Sequence, residues 1–469
     1  FYTMFMNPET HLLHNSLYYG LTQKKMPTIS KKIITSSIPN HSFGVFTTIR
    51  RNKNLSHWPT DIHGCIGYWD QDFKTLNKNT LLNHTFDVTY KAIHTDERKH
   101  YFPSLIHEPS SIIEIDFLMK PLYAINPQNG TFLYNSKKTR FNNNIFGIIL
   151  QSTQSKQRAT FLPHVFKNKS WKSILTLLMQ KANVRNPQEI KLYAYKIIQY
   201  KMPLLNLLEN TTLIKHNIQS FVNILFHNLN LNNLYIFLYS VNQNKKQTFD
   251  DSQHVRNCAL LGSIYHMYKN HTIKLNKTQL KQLKNNAAFI LQNIDSLPAQ
   301  AISFLHPFIT KKNIPFCYKL IDKLPHAGEE FEKPEILIGL KNAGCIIPKN
   351  LSKIYFAPNN SIFQFNWNIQ TYYFLHNSFP PTLLRQFETK VQDILKKIQN
   401  EETNVLAVSL ESLCYVYKKT RVKKWLSLLF PLFIELELRK DNVLYPFHSG
   451  ESRIDISDHI YRGLALLIT

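Results

Sequence analysis

The chain has 469 residues, 43% apolar and 13% aromatic, with charged residues at only 19%. That balance excludes a disordered chain and supplies enough apolar side chains for two or three domains. Lys+Arg 56 against Asp+Glu 31 leave a formal charge of +25, split as 25 against 11 over residues 1–200 and 31 against 20 over residues 201–469, so the excess is spread and forms no basic tail.

Up to about residue 202, strand-like and helical segments alternate. Phe43 to Ile49 is rich in β-branched and aromatic residues and predicts a strand. Leu81 to Thr95 has helical spacing, Ile112 to Leu118 alternates as a strand, and Ile145 to Leu150 and Ala159 to Leu162 predict two more strands. Trp171, Ile174, Leu175 and Leu178 then fall on one helical face. Strands and helices without regular βαβ alternation point to an α+β domain with a largely antiparallel sheet over residues 1–205. Beyond Pro203 strand signals fade. The segments 218–239, 254–268, 278–294, 383–398, 405–417 and 422–438 are helical, and prolines such as Pro298, Pro348 and Pro380-Pro381 punctuate them. An all-α helical-hairpin domain is expected over 215–469.

No stretch approaches 18 uncharged apolar residues, so no membrane-spanning helix is expected. Phe1 to Leu21 carries Glu9, His11 and His14 and lacks the order of a signal peptide. Five cysteines (Cys65, Cys258, Cys317, Cys345, Cys414) are scattered without a CxxC pair, which points to a reducing, cytoplasmic setting and away from a disulfide framework. No metal-ligand spacing stands out, and no cofactor is assigned.

The densest local signal is His63-Gly64-Cys65-Ile66-Gly67. Two glycines around a Cys-Ile pair predict a tight turn with amides open to a ligand. On spacing alone two readings stand. Cys65 is either a thiolate nucleophile with His63 as neighbouring base, or a small packing residue between glycines.

Several blocks in order resemble the AMMECR domain family: Phe43-Gly44-Val45-Phe46-Thr47-Thr48, His63-Gly64-Cys65-Ile66-Gly67, Asp96-Glu97-Arg98 and Phe102-Pro103-Ser104-Leu105. Gly147-Ile148-Ile149-Leu150, Thr160 to Val165 and Lys181-Ala182-Asn183-Val184 continue the series. The resemblance implies an α+β fold whose glycine–cysteine motif lines a cleft. At that cleft Cys65, His63 and Asp96 are the catalytic candidates, and Gly64, Ile66, Gly67, Arg98 and His164 the ligand-binding candidates. The resemblance leaves the function open, between an enzyme with a catalytic thiol and a nucleic-acid-related role. It also implies Memo-like or radical-SAM pathway partners. His63 stands where the family usually carries arginine, and His164 where it usually carries glutamine. A forked, permanent cation is thereby exchanged for a pH-dependent one.

In the helical half, Asp250-Asp251-Ser252-Gln253-His254 is echoed by Asp455-Ile456-Ser457-Asp458-His459, each ahead of an apolar helix. Asp and Ser there cap a helix start, and residues four apart share a face. The candidates of a second site are therefore Asp250, Asp251, His254, Asp455, Asp458 and His459. About 205 residues separate the two motifs, room for roughly five hairpins of about 40 residues. In architecture this is similar to a six-hairpin α/α toroid, which implies a glycan-type site with paired carboxylates, Glu329 and Glu330 among the candidates. An open solenoid scaffold is the other architecture.

The resulting expectation is a protein that binds or modifies a small molecule or modified substrate at the Gly-Cys-Ile-Gly cleft. The rival is a non-enzymatic scaffold that binds nucleic acid or protein through basic surfaces. Nucleic-acid binding of that kind is weak and falls steeply with salt.

Overall fold

The computed structural model describes residues 8–23, 31–51, 61–101, 103–166, 169–227, 238–240, 253–292, 298–308, 314–326, 332–347, 361–440, 444–448 and 451–469. The chain divides into two compact units, Phe1–Glu209 and Asn210–Thr469.

The first unit begins with helices α1 (Pro8–Thr22) and α2 (Lys31–Ser36), then strands β1 (Ser42–Arg51) and β2 (Ile62–Trp69), then helix α3 (Lys78–His94). Strands β3 (Ser111–Ile125), β4 (Thr131–Tyr134), β5 (Lys137–Arg140), β6 (Gly147–Ser152) and β7 (Arg158–Phe161) follow, then α4 (Trp171–Lys181) and β8 (Ile190–Pro203). Six strands form one antiparallel sheet in the order β2-β1-β3-β8-β6-β7, and β4 and β5 form a separate hairpin. This is the expected α+β class.

Asn77 caps α3 by accepting from Thr80 N at 2.9 Å. The helix lies against one face of β1 and β2, where the Thr47 and Thr89 hydroxyls meet at 2.9 Å. The other face carries Phe46, Leu118, Ile149 and Tyr195, with Cys65 and Trp69 packed against them.

The turn expected at His63–Gly67 is a correction. The segment is the edge strand β2, with Thr48 opposite Cys65 and Phe46 opposite Gly67. The glycines serve close approach. A Cβ on Gly64 would lie 1.9 Å from Ala92 O of α3, and one on Gly67 would lie 2.2 Å from the Phe46 ring.

The second unit contains helices α5 (Thr211–His227), α6 (Gln253–Lys269), α7 (Lys277–Gln292), α8 (Ala299–Ser303), α9 (Ile314–Lys323) and α10 (Glu332–Asn342). It continues with α11 (Ile362–Leu375), α12 (Pro381–Lys396), α13 (Thr403–Thr420), α14 (Lys423–Arg439) and α15 (Ile454–Ile468). Short strands β9 (Leu238–Ser240), β10 (Pro446–His448) and β11 (Glu451–Arg453) form a small sheet in the order β10-β11-β9. Six helices contact one another in a closed cycle, α6 to α8 to α10 to α11 to α13 to α15 and back to α6. Helix α5 packs on α15, α7 on α6, and α14 on α13. Among the described residues, no helix is long and apolar enough to cross a membrane.

Cysteine pairing also departs from expectation. Cys317 on α9 and Cys345 after α10 form a disulfide with Cα atoms 5.8 Å apart, closing 28 residues. Neither position signals the bond, because it depends on two helix ends meeting. Cys258 and Cys414 are buried free thiols. Replacing both disulfide cysteines by serine is expected to lower the stability of this unit by about 3–4 kcal/mol through loop-closure entropy. Urea unfolding with and without reductant checks this; equal midpoints for the oxidised and reduced wild type would argue against the bond.

Candidate functional site

Among the described residues β2 is an outermost strand, and its outer main-chain groups have no strand partner there. At Cys65 a side-chain clamp takes them up. Cys65 N donates to Asp96 Oδ2 at 2.8 Å, and Arg98 Nη2 donates to Cys65 O at 2.8 Å. Asp96 stands just beyond α3, at the start of the 3-10 turn Glu97–His100, and is 6% exposed. Its carboxylate also accepts from Arg98 N (3.0 Å), Nε (2.8 Å) and Nη2 (2.6 Å). Burial opposes its charge, but the Arg98 and Cys65 donors prevail and hold its pKa below the ordinary carboxylate value. Arg98 is anchored on one edge, with a third of its side chain still exposed.

The sulfur lies on the sheet face opposite α3. Thr48 Oγ1 donates to Cys65 Sγ at 3.1 Å. Cys65 is half-buried. Desolvation raises its thiol pKa, and the Thr48 hydroxyl and the charges of Arg98 and Lys181 only partly oppose that rise. The resting group is a thiol. Lys181, at the end of α4, donates to Thr160 O at 3.0 Å, and its ammonium lies 4.9 Å from the centre of the Phe161 ring. Partial desolvation lowers the pKa of this lysine.

Two buried groups on this face, Asp116 and Tyr195, were not among the sequence candidates. Asp116 accepts from Gln199 Nε2 at 2.9 Å. Burial and the neighbouring Glu114 push its carboxyl up to about 7. Glu114 is held by Arg50 at 2.6 and 2.8 Å. The Tyr195 hydroxyl meets Thr160 Oγ1 at 2.9 Å and donates to Phe161 O at 3.2 Å. The signal for Asp116 was present: it is an acid inside the apolar alternation of Ile112 to Leu118.

The remaining candidates distribute around this centre. His63 is 4% exposed, and its Nε2 lies 3.1 Å from Ile93 O in the last turn of α3. That ring nitrogen is taken up by the helix end, while the hydrogen bond at the sulfur comes from Thr48. An irregularity in the pairing at Ile49 and Arg50 accompanies this placement. Ile66 pairs with Thr47, the residue that reaches α3, and so belongs to the helix-covered face. His164 occupies a turn after β7 with φ +68°, and its N donates to Asn143 O at 2.6 Å. The residues flanking it, Leu162 and Val165, pack with Cys65.

Residues 11–202 match the AMMECR1 family model. The N-terminal part of the chain therefore carries an AMMECR1 domain, and both the β2 edge and the Asp96–Arg98 clamp lie within it. The match ends before α5, and the comparisons give the six-hairpin resemblance of the second unit no support. No curated protein and no solved structure matches the chain.

In the second unit, Asp250 and Asp251 lie outside the described residues, as do Glu329, Glu330 and the side chain of His254. The echoed motif on α15 is described. Asp455 pairs with Arg256 of α6 at 3.5 Å, and Asp458 Oδ2 accepts from Ser263 of α6 at 3.3 Å. His459 Nδ1 lies 2.7 Å from Glu411 Oε2. Glu411 of α13 is fully buried and also binds Arg462 of α15 and, at 3.0 Å, Asn366 of α11. The motif thus joins α15 to α6 and α13, and through Glu411 to α11. Sequence reasoning missed Glu411, although a lone acid within Leu406 to Val416 marks a buried charge that needs partners.

Proposed function

We propose that the AMMECR1 domain binds a small anionic molecule, or the anionic part of a modified substrate, where Cys65, Arg98 and Lys181 meet. The observation that carries this reading is the setting of the sulfur. Cys65 is a half-buried residue of an edge strand, and its sulfur feels the charges of two cations brought from separate elements. Asp96 neutralises part of the Arg98 charge and fixes its direction, and Arg98 keeps a partly exposed surface. Guanidinium and ammonium together suit a carboxylate or phosphate. Binding is favoured over resting-state covalent catalysis because the thiol is held protonated by burial and the His63 Nε2 is engaged at Ile93 O.

Alkylation tests it. Iodoacetate and iodoacetamide deliver the same carbon, one with a negative charge and one neutral. Cys65 is expected to react more slowly than a free thiol near neutral pH. It is also expected to favour iodoacetate over iodoacetamide by about tenfold relative to a free thiol, as roughly 1.4 kcal/mol of local attraction implies. Arg98→Ala should abolish the preference, as read by mass spectrometry of the Cys65 peptide. A reagent ratio at Cys65 equal to that of a free thiol counts against an anion site.

A further inference from the structure

The closed cycle of helices in the second unit surrounds a cavity of about 280 Å³. All six helices or the turns beside them contribute to its wall, through residues such as Ser263, Phe304, Glu335, Tyr373, Tyr415 and Arg462. Three residues of the wall each carry a buried polar atom with no hydrogen-bond partner: Glu335 Oε1, Gln370 Nε2 and Thr272 Oγ1. Their residues are only 3%, 3% and 5% exposed. Buried polar groups are almost always paired, so three orphans on one cavity point to an occupant.

The charges say which kind. Glu411 is satisfied by Arg462, His459 and Asn366. Asp458 has Ser263, with Arg462 at 3.8 Å. Asp458 Oδ1 is also unpartnered, but Asp458 does not line the cavity; among the residues that do, Glu335 of α10 is the carboxyl left over. Two histidines at the wall, His266 and His306, add no competing cation, because burial lowers the pKa of both, His306 to about 4. Phe304, Tyr373 and Tyr415 offer aromatic surface, a favourable neighbour for an organic cation. Gln370 Nε2 is a donor and calls for an acceptor on the same occupant, beside the Thr272 hydroxyl.

We propose that this cavity binds a small organic amine that also carries a hydroxyl or carbonyl oxygen, with its ammonium on Glu335, its oxygen toward Gln370 and Thr272, and its apolar body against the aromatic rings. Nothing in this assignment depends on the Cys65 site.

Proton linkage supplies a signature. In the free protein, burial pushes the Glu335 carboxyl up to about 8; Arg462 opposes the rise and Glu411 adds to it. The other titratable groups at the wall and in the adjoining network are His266 of α6, His306 beyond α8, Tyr373 of α11, Tyr415 of α13, and Asp458 and His459 of α15. An arriving ammonium ionises Glu335, so binding near neutral pH releases a proton and tightens from about pH 6 to about pH 8.

The experiment is isothermal titration of the full chain with 2-amino-1-phenylethanol, and with 1-phenyl-1,2-ethanediol as its uncharged counterpart. Each titration is run in two buffers of different ionisation enthalpy. The amine is expected to bind at least about tenfold tighter than the diol and to release a proton. Glu335→Gln, whose amide stands in for the protonated acid, should remove both the preference and the proton release. Equal affinity for the two probes, no heat from the amine at about 10 mM, or an unchanged preference in Glu335→Gln overturns the proposal. Should that variant fold poorly, the wild-type proton count still decides, because amine binding without proton release also overturns it.

Discussion

Replacing Glu411 by glutamine is expected to cost the helical unit about 3–5 kcal/mol, the range for breaking a buried ion pair from one side. The variant has the same shape, so packing is not what changes. Glu411 is fully buried and receives donors from Arg462, His459 and Asn366. A glutamine presents one oxygen and one N–H₂ to these groups, so a donor faces donors and Arg462 loses its main counter-charge. Asp458 cannot take over, because it lies 3.8 Å from Arg462 and burial already raises its own pKa to about 6. The network joins α11, α13 and α15, so its failure loosens three helices of the cycle together. Chemical unfolding followed by circular dichroism checks this, and a loss under about 1 kcal/mol would show that the pair is a surface-like contact.

The same carboxylate gives the unit an acid limit. Burial opposes ionisation of Glu411, but Arg462 and His459 override it and lower its pKa from 4.5 to about 2. A depressed pKa contributes stability that is fully present above about 4.5 and is lost as the pH falls toward 2. Glu335 and Asp458 act in the opposite sense. Their raised values, about 8 and about 6, mean that the folded state holds protons the unfolded chain has released, so they weaken the fold as pH rises above their ordinary values. Glu411→Gln should therefore flatten the acid limb of the stability profile and, because the Glu411 charge adds to the rise at Glu335 and Asp458, also make the alkaline slope shallower.

Legibility from sequence followed the amount of local signal. Strands dense in β-branched residues, such as β1 and β3, and helices with clean apolar spacing, such as α12 and α13, were readable because period and composition agree there. Strand β2 was not, because its glycines interrupt the alternation for the sake of neighbours far away in sequence, Ala92 and Phe46. Strand β8 went unnamed as a strand because lysines and glutamine alternate with apolar residues along a surface that is only partly buried. Helix α11 carries buried Asn366, Asn368 and Gln370, so its inward face does not read as apolar. Cys65, Asp96 and Arg98 were named through family resemblance; spacing alone could not bring them together, since the clamp depends on where α3 ends relative to the edge of β2. Lys181 and Tyr195 reach the same face from still later elements. The helical cavity was the least legible feature, because its wall is assembled from residues on six separate segments.

Gly64→Ala is expected to be the most damaging single-methyl change in the AMMECR1 domain. The new Cβ would lie 1.9 Å from Ala92 O and 2.8 Å from Ala92 C, both backbone atoms in the last turns of α3. No rotamer relieves a clash with main chain, so either β2 or α3 must move by more than 1 Å. That movement spreads. Ile93 O, which meets the His63 ring, follows Ala92, and Asp96 hangs directly from the end of the same helix. The cost therefore includes overpacking of about 1–3 kcal/mol and loss of the charge-assisted bonds that Asp96 makes at the strand edge, about 1.5–3 kcal/mol more. Gly67→Ala makes the informative comparison. Its Cβ would meet the Phe46 ring, a side chain stacked on Trp69 at 5.7 Å that can yield at the expense of that stacking. Thermal unfolding should rank wild type above Gly67→Ala and Gly67→Ala above Gly64→Ala. In Gly64→Ala the iodoacetate preference at Cys65 should also fall, because Arg98 loses its anchor. If Gly64→Ala unfolds with Gly67→Ala or later, α3 does not press on the strand as closely as these distances require, and the clamp needs another support.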